Sequence, residues 1–138
     1  MSYEAFWVDF VRGKQRARTA GGHMYTPPQT KADMQAIAWA YRQTGGGMAP
    51  KGVPVSVHVC TGRPMPKSRR GEEEPDVHKP DADNILKLVL DALNGVAWHD
   101  DSQVTRVLCD KADRSKSCRE LWMHIAVSWE DEEGGKHD

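Results

Sequence analysis

The 138-residue chain lacks any apolar run approaching the ~18 residues of a membrane-spanning helix. Its N-terminus also lacks the charged, apolar and small-residue succession of a secretory signal. A soluble, cytoplasmic protein with no membrane partner is therefore expected. Cysteine is scarce as well: Cys60, Cys109 and Cys118 are an odd number without metal-finger spacing, which argues for free thiols over a disulfide framework or a zinc site. There is no internal repeat and no glycine-rich phosphate loop, so no nucleotide cofactor is expected. The length suits one domain.

The net charge of −1 conceals an asymmetry. Residues 1–71 hold eleven Lys and Arg against three Asp and Glu, and residues 72–138 hold eight against seventeen. A basic half facing a polyanion and an acidic half holding a metal would divide the charge this way. A solvated surface ending in the acidic tail of residues 130–138 would do so equally, so charge alone leaves both readings open.

Residues 3–11 are aromatic and β-branched and predict a strand. Lys14, Arg16 and Arg18 follow at a spacing of two, which in extended backbone points all three the same way. Gly21-Gly22 and Pro27-Pro28 mark loop. A helix is predicted over 31–44, opened by Thr30 and Asp33, with Met34, Ile37, Ala38 and Tyr41 as its apolar stripe and Gly45-Gly46-Gly47 as its stop. Alternating valines predict a strand over 53–61, with His58 on its polar face. Residues 62–80, rich in Gly, Pro and charge, predict a long flexible loop. Strands are predicted over 103–109 and 121–129, joined by a polar link as an antiparallel hairpin. The order β-α-β-α-β-β implies a small single α/β domain (residues 1–129) with a mixed sheet and helices packed on it.

Between these elements lies the densest chemistry: Lys79-Pro80-Asp81-Ala82-Asp83-Asn84, an amphipathic helix to Leu93, then Asn94-Gly95 and, further on, Asp100-Asp101. Asp81 or Asp83 can cap that helix. Leu86, Val89, Leu90 and Leu93, with Ile85 beside them, predict its buried face. Asp83, Lys87 and Asp91, four apart, share a polar stripe that on its own suggests ordinary ion pairs. If residues 96–101 run back extended from the Asn94-Gly95 turn, they cover ~17–20 Å and return Asp100 and Asp101 to Asp81 and Asp83. A helix dipole favours anions by only ~0.3–1 kcal/mol per group, too little to hold four carboxylates together. A hard divalent cation with oxygen ligands is the simplest answer; Mg²⁺ suits few carboxylates and several waters, and Mn²⁺ could take its place. A D-x-D pair alone is weak evidence, since glycosyltransferases and aspartate-nucleophile phosphatases also carry one. No apolar strand precedes it here, and neither alternative accounts for Lys87 and the second acid pair.

The blocks Lys79 to Asn84, Lys87, Asp91-Ala92-Leu93-Asn94-Gly95 and Asp100-Asp101-Ser102-Gln103-Val104 resemble the signature of the RusA-type Holliday junction resolvases. Weaker similarity extends to Gly13 through Arg18, Tyr25-Thr26-Pro27 and Arg63 to Lys67. The resemblance implies a homodimeric, Mg²⁺-dependent endonuclease that resolves four-way DNA junctions by paired symmetric nicks in recombination and repair, often phage- or prophage-encoded. By position, Asp81, Asp83 and Asp101 match the family's essential metal-binding acids and Lys87 its essential lysine; Asp100 is a further metal candidate. Ala82 departs from the larger aliphatic residue usual in the family.

Chemistry agrees: Lys87 could steady charge developing on a phosphate. Lys14, Arg16, Arg18, Arg63, Lys67, Arg69, Arg70 and Lys111 are candidates for gripping DNA phosphates. His78 and His99 receive no role, and Trp7, Trp39, Trp122 and Trp129 are expected in core or interface before base stacking. The rival readings are a broader branched-DNA or flap nuclease with the same site and a non-catalytic DNA-binding module with a structural metal.

Overall fold

Four long strands frame the fold. In the computed structural model, which describes residues 1–68 and 71–131, they are β1 (Ser2–Val8), β4 (Val55–Gly62), β6 (Val104–Lys111) and β8 (Trp122–Trp129). They form one mixed sheet in the order β1-β8-β4-β6. β8 is antiparallel to both β1 and β4, whereas β4 and β6 are parallel. Strand alternation sends Phe6, Val55, Val57, Val59, Met123, Ile125 and Val127 to the buried face. There they meet Ile37 and Tyr41 of α1 (Pro28–Gln43) and Ile85, Leu88 and Val89 of α2 (Ala82–Leu93) in one core. The four minor strands form two antiparallel pairs: β2 (Arg18–Ala20) with β3 (His23–Tyr25), a hairpin, and β5 (Glu73–Glu74) with β7 (Arg114–Ser115), which lie far apart in the chain.

The six main elements follow the expected β-α-β-α-β-β order. The expected hairpin is not there. β4 lies between β6 and β8, with Val55, Val57 and Val59 all buried. The link between β6 and β8 pairs instead with residues 73–74. Parallel β4 and β6 require a crossover, and α2 supplies it. Its two ends therefore lie at opposite ends of the sheet, which decides how the acidic residues are distributed.

Local boundaries shift for physical reasons. Pro28 opens α1, since a first-turn residue needs no N–H partner. Thr30 and Asp33 do not cap it; both are buried, and Asp33 accepts Arg12 Nε at 2.7 Å and Arg12 Nη2 at 3.0 Å. β1 stops at Val8, although Phe10 and Val11 still enter the core. On α2 the fully buried face is Ile85, Leu88, Val89, Ala92 and Leu93, with the expected Leu86 and Leu90 only partly covered at its margins. Gly21-Gly22, both at positive φ, form the two-residue turn between β2 and β3. Among the described residues, no helix is long and apolar enough to cross a membrane.

Candidate active site

Asp81 occupies the residue before α2 in extended conformation, and its carbonyl accepts Ile85 N at 3.1 Å. Its carboxylate makes no capping bond, contrary to expectation. The side chain stays 49% exposed, met by Lys79 Nζ at 3.1 Å. Asp83 lies in the first turn and is exposed, so both carboxylates remain available where the helix dipole favours anions. Lys87, one turn on, is also exposed.

The segment leading to Asp81 is tied down from two sides. Arg63 Nε and Nη2 bond both carboxylate oxygens of Asp76, at 3.1 and 3.3 Å, and Nη2 also donates to the Lys79 carbonyl. Burial alone would raise the Asp76 carboxyl, but the Arg63 bonds, the His78 N–H and the nearby Arg63 and Lys111 charges outweigh it and hold it below the ordinary range. From the other side, Lys111 Nζ, at the end of β6, donates to the carbonyls of His78 at 2.5 Å and Pro80 at 3.0 Å. Arg63 and Lys111, expected on phosphates, are here engaged in placing the start of α2. Residues 62–80 thus carry structure of their own: Met65 is buried with its N–H on the Ser115 carbonyl, and Glu73–Glu74 pair with β7.

The basic arm lies against α2. A Cβ at Gly13 would meet Asn84 Cβ at 2.8 Å and Pro80 Cβ at 3.1 Å, so only glycine permits this approach. Lys14 N then donates to Asn84 O at 2.9 Å. Lys14 Nζ reaches Asp91 Oδ2 at 2.5 Å, both side chains about one-third exposed. Asp91 is thereby drawn away from the expected stripe with Lys87, and among the described residues Lys87 makes no salt bridge. Lys14, Arg16, Asn84, Lys87 and Asp91 line a pocket of ≈ 460 Å³. Arg16, Arg18 and Lys67 are exposed; Arg69 and Arg70 lie outside the described residues.

Asp100 and Asp101 are not brought to this site within one chain. After α2 the backbone coils rather than running back extended: Val96 N and Ala97 N both bond the Leu93 carbonyl at 2.9 Å, and Gly95 N bonds Trp98 O at 2.8 Å. Trp98 is fully buried, and its Nε1 donates to Asp101 Oδ1 at 2.8 Å. Asp100 caps the following 3-10 turn (Asp101–Gln103), accepting from Ser102 N at 3.0 Å, and hydrogen bonding from Ser102 lowers its carboxyl below the usual range. Gln103 fastens the turn to the loop before β4 through Pro50 O and Val53 O. This places Asp101 just before the start of β6, whereas Asp81 stands beside its end. The eight residues of β6 put the two on the order of 20 Å apart. Among the described residues, no three acidic, His or Cys side chains of one chain could hold a metal together.

Sequence reasoning missed Gly13, Asp76, Trp98 and Gln103 as organisers of these regions. Their partners lie far along the chain or depend on an unforeseen turn, and no local pattern marks them. His58 is exposed as expected and faces Asp110 at 2.9 Å; His99 is exposed. Trp129 is buried, but Trp7 and Trp39 are 61% and 64% exposed and, with Trp122, line an open apolar groove of ≈ 930 Å³.

A family model described as Endodeoxyribonuclease RusA matches residues 10–120, from the arm through α1, α2 and β6 to the link before β8. A protein of Bacillus subtilis (strain 168), described as "Uncharacterized protein YqaN", is 35% identical over 123 residues, 80% of this chain and 86% of that protein. With the matched span containing Asp81, Asp83, Lys87 and Asp101, the chain belongs to the RusA endodeoxyribonuclease family.

Proposed function

We propose that the protein nicks branched DNA, resolving four-way junctions as a homodimer whose two sites act on opposing strands. The observation that carries this reading is the pair of exposed carboxylates, Asp81 and Asp83, on a segment fixed by Arg63 and Lys111, with Lys87, which makes no salt bridge among the described residues, one turn away. An all-oxygen donor set with two available carboxylates fits Mg²⁺, which is held through one or two carboxylates and several waters. Asp81 and Asp83 would hold the ion, which when bound supplies Lewis acidity at the scissile phosphate. Lys87 would contribute a positive charge as negative charge develops on that phosphate.

Asp101 and Asp100 join this site only from a second chain. β6 is an edge strand with Val107 and Leu108 about half exposed. Antiparallel pairing of two β6 strands about a twofold axis would lay the partner's Asp101 alongside the end of this chain's β6, next to Asp81. The twofold would match that of the junction.

The test is incubation with Mg²⁺ and a labelled four-way junction or a linear duplex. Nicking of the junction that disappears in Asp81→Asn while binding persists supports the proposal. Equal cutting of the linear duplex would indicate a broader nuclease, and no cutting with Mg²⁺ or Mn²⁺ would refute an enzyme.

A further inference from the structure

The pocket between the basic arm and α2 contains three cations and one acid: Lys14, Arg16, Lys87 and Asp91. On an isolated α2, Asp91 is the i+4 neighbour of Lys87 and would pair with it, though less well than Asp83, which stands in the favoured acid-first order. In the folded chain, Lys14 takes Asp91 instead, at 2.5 Å. The arm cannot slide out of this register easily. Gly13 is packed against Asn84 and Pro80, Lys14 N is bonded to Asn84 O, and Gln15 N donates to Thr30 Oγ1 at 3.2 Å.

We propose that Lys14 is a positioning residue: it neutralises Asp91, leaving Lys87 and Arg16 to face a backbone phosphate of the bound DNA in this pocket. The proposal rests on the nuclease reading for its ligand. Lys14 then acts through Lys87, not as an independent phosphate contact. Its removal does two things at once, deleting one positive charge and freeing a carboxylate to capture a second. The expected loss therefore exceeds that of one surface cation, and removing the carboxylate should restore most of it.

The test uses the full chain with four variants: Lys14→Ala, Asp91→Asn, both together, and Lys14→Arg. Binding of a fluorescent four-way junction is measured by anisotropy in EDTA, so that it is read without cleavage. Lys14→Ala should weaken binding about tenfold, and Asp91→Asn should change the parent by less than about twofold. Adding Asp91→Asn to Lys14→Ala should recover most of the loss, and Lys14→Arg should stay near the parent. Independent surface charges would instead make Asp91→Asn improve binding by the same factor in both backgrounds, which overturns the proposal. Nicking supplies the second arm: in a Lys87→Ala background, Lys14→Ala should cost less than about twofold further, whereas multiplying losses would refute action through Lys87. Circular dichroism and melting of each variant identify any that fails to fold, and Lys14→Arg then carries the comparison. Failure of the nuclease reading would show separately, as a parent chain that binds the junction in EDTA but never cuts it.

Discussion

Replacing Arg63 by Ala gives the sharpest test of how the acidic site is held. Asp76 is fully buried in its side chain and Arg63 only 19% exposed, so the variant strands a carboxylate whose main counter-charge is gone. Breaking a buried ion pair from one side costs ~3–5 kcal/mol. The residual exposure of Arg63 points to the lower end, about 3 kcal/mol. Opening of the 62–80 segment sets a ceiling, because once open it lets water reach Asp76. The pH dependence has a definite sign. The folded Asp76 carboxyl is held below its ordinary value, so the pair's contribution is complete above the unfolded value of ~3.9 and is lost as pH falls through the folded one. Without Arg63, its hydrogen bonds and charge no longer lower the carboxyl, which rises relative to the parent, so protonation relieves part of the variant's penalty. Urea unfolding followed by tryptophan fluorescence at several pH values between 7 and 3.5 should show the largest gap between parent and variant at pH 7, narrowing towards acid. Arg63→Ala with Asp76→Asn should recover much of the loss. A cost below about 1 kcal/mol at pH 7, or one that does not change with pH, would refute the reasoning. So would lost DNA affinity at unchanged stability, which would return Arg63 to the phosphate contacts.

Three further outcomes are expected. A mixture of Asp81→Asn and Asp101→Asn chains should regain single-strand nicking if each site draws on both chains, because the mixed dimer then holds one intact site; two single-chain sites would leave the mixture inactive. Asp101→Asn should leave stability nearly unchanged, since its amide oxygen can still accept Trp98 Nε1, whereas Asp101→Ala leaves that buried donor unpaired at a cost of ~1–3 kcal/mol in urea unfolding. The Cys109 thiol is pushed up to about 11 by burial and by the nearby Asp110 and Cys60 charges, so its alkylation should be slow at pH 7 and accelerate well beyond pH 9.

The valines of β4, the alternation of β8 and the amphipathic α2 were all readable because burial imposes its period on neighbouring residues. The strand order was not. The hairpin expectation rested on closeness in sequence, whereas β4, which precedes both strands in the chain, comes to lie between them. The buried face of α2 was displaced: Leu88 and Ala92 lie in the core, while Leu86 and Leu90 pack at its margin. The site was legible in residue type and only partly in place. Asp81, Asp83 and Lys87 sit together on one helical turn and a half, which local spacing fixes. The path to Asp101 depended on whether residues 96–101 extend or coil. Leu93 and Trp98 decide that by accepting the backbone N–H groups that follow α2. The Lys14–Asp91 pair, 77 residues apart, leaves no local trace at all.

The opposite placement of Asp81 and Asp101 along one crossover also bears on reaction order. On the proposed pairing of two β6 strands, a lone chain would carry two halves of different sites, so nicking would rise with the square of protein concentration at high dilution and become linear once the chains associate. Newly made, scarce protein would be nearly harmless to the DNA around it. Cutting would begin only as copies accumulate, or where a junction with two equivalent faces gathers two chains onto one molecule.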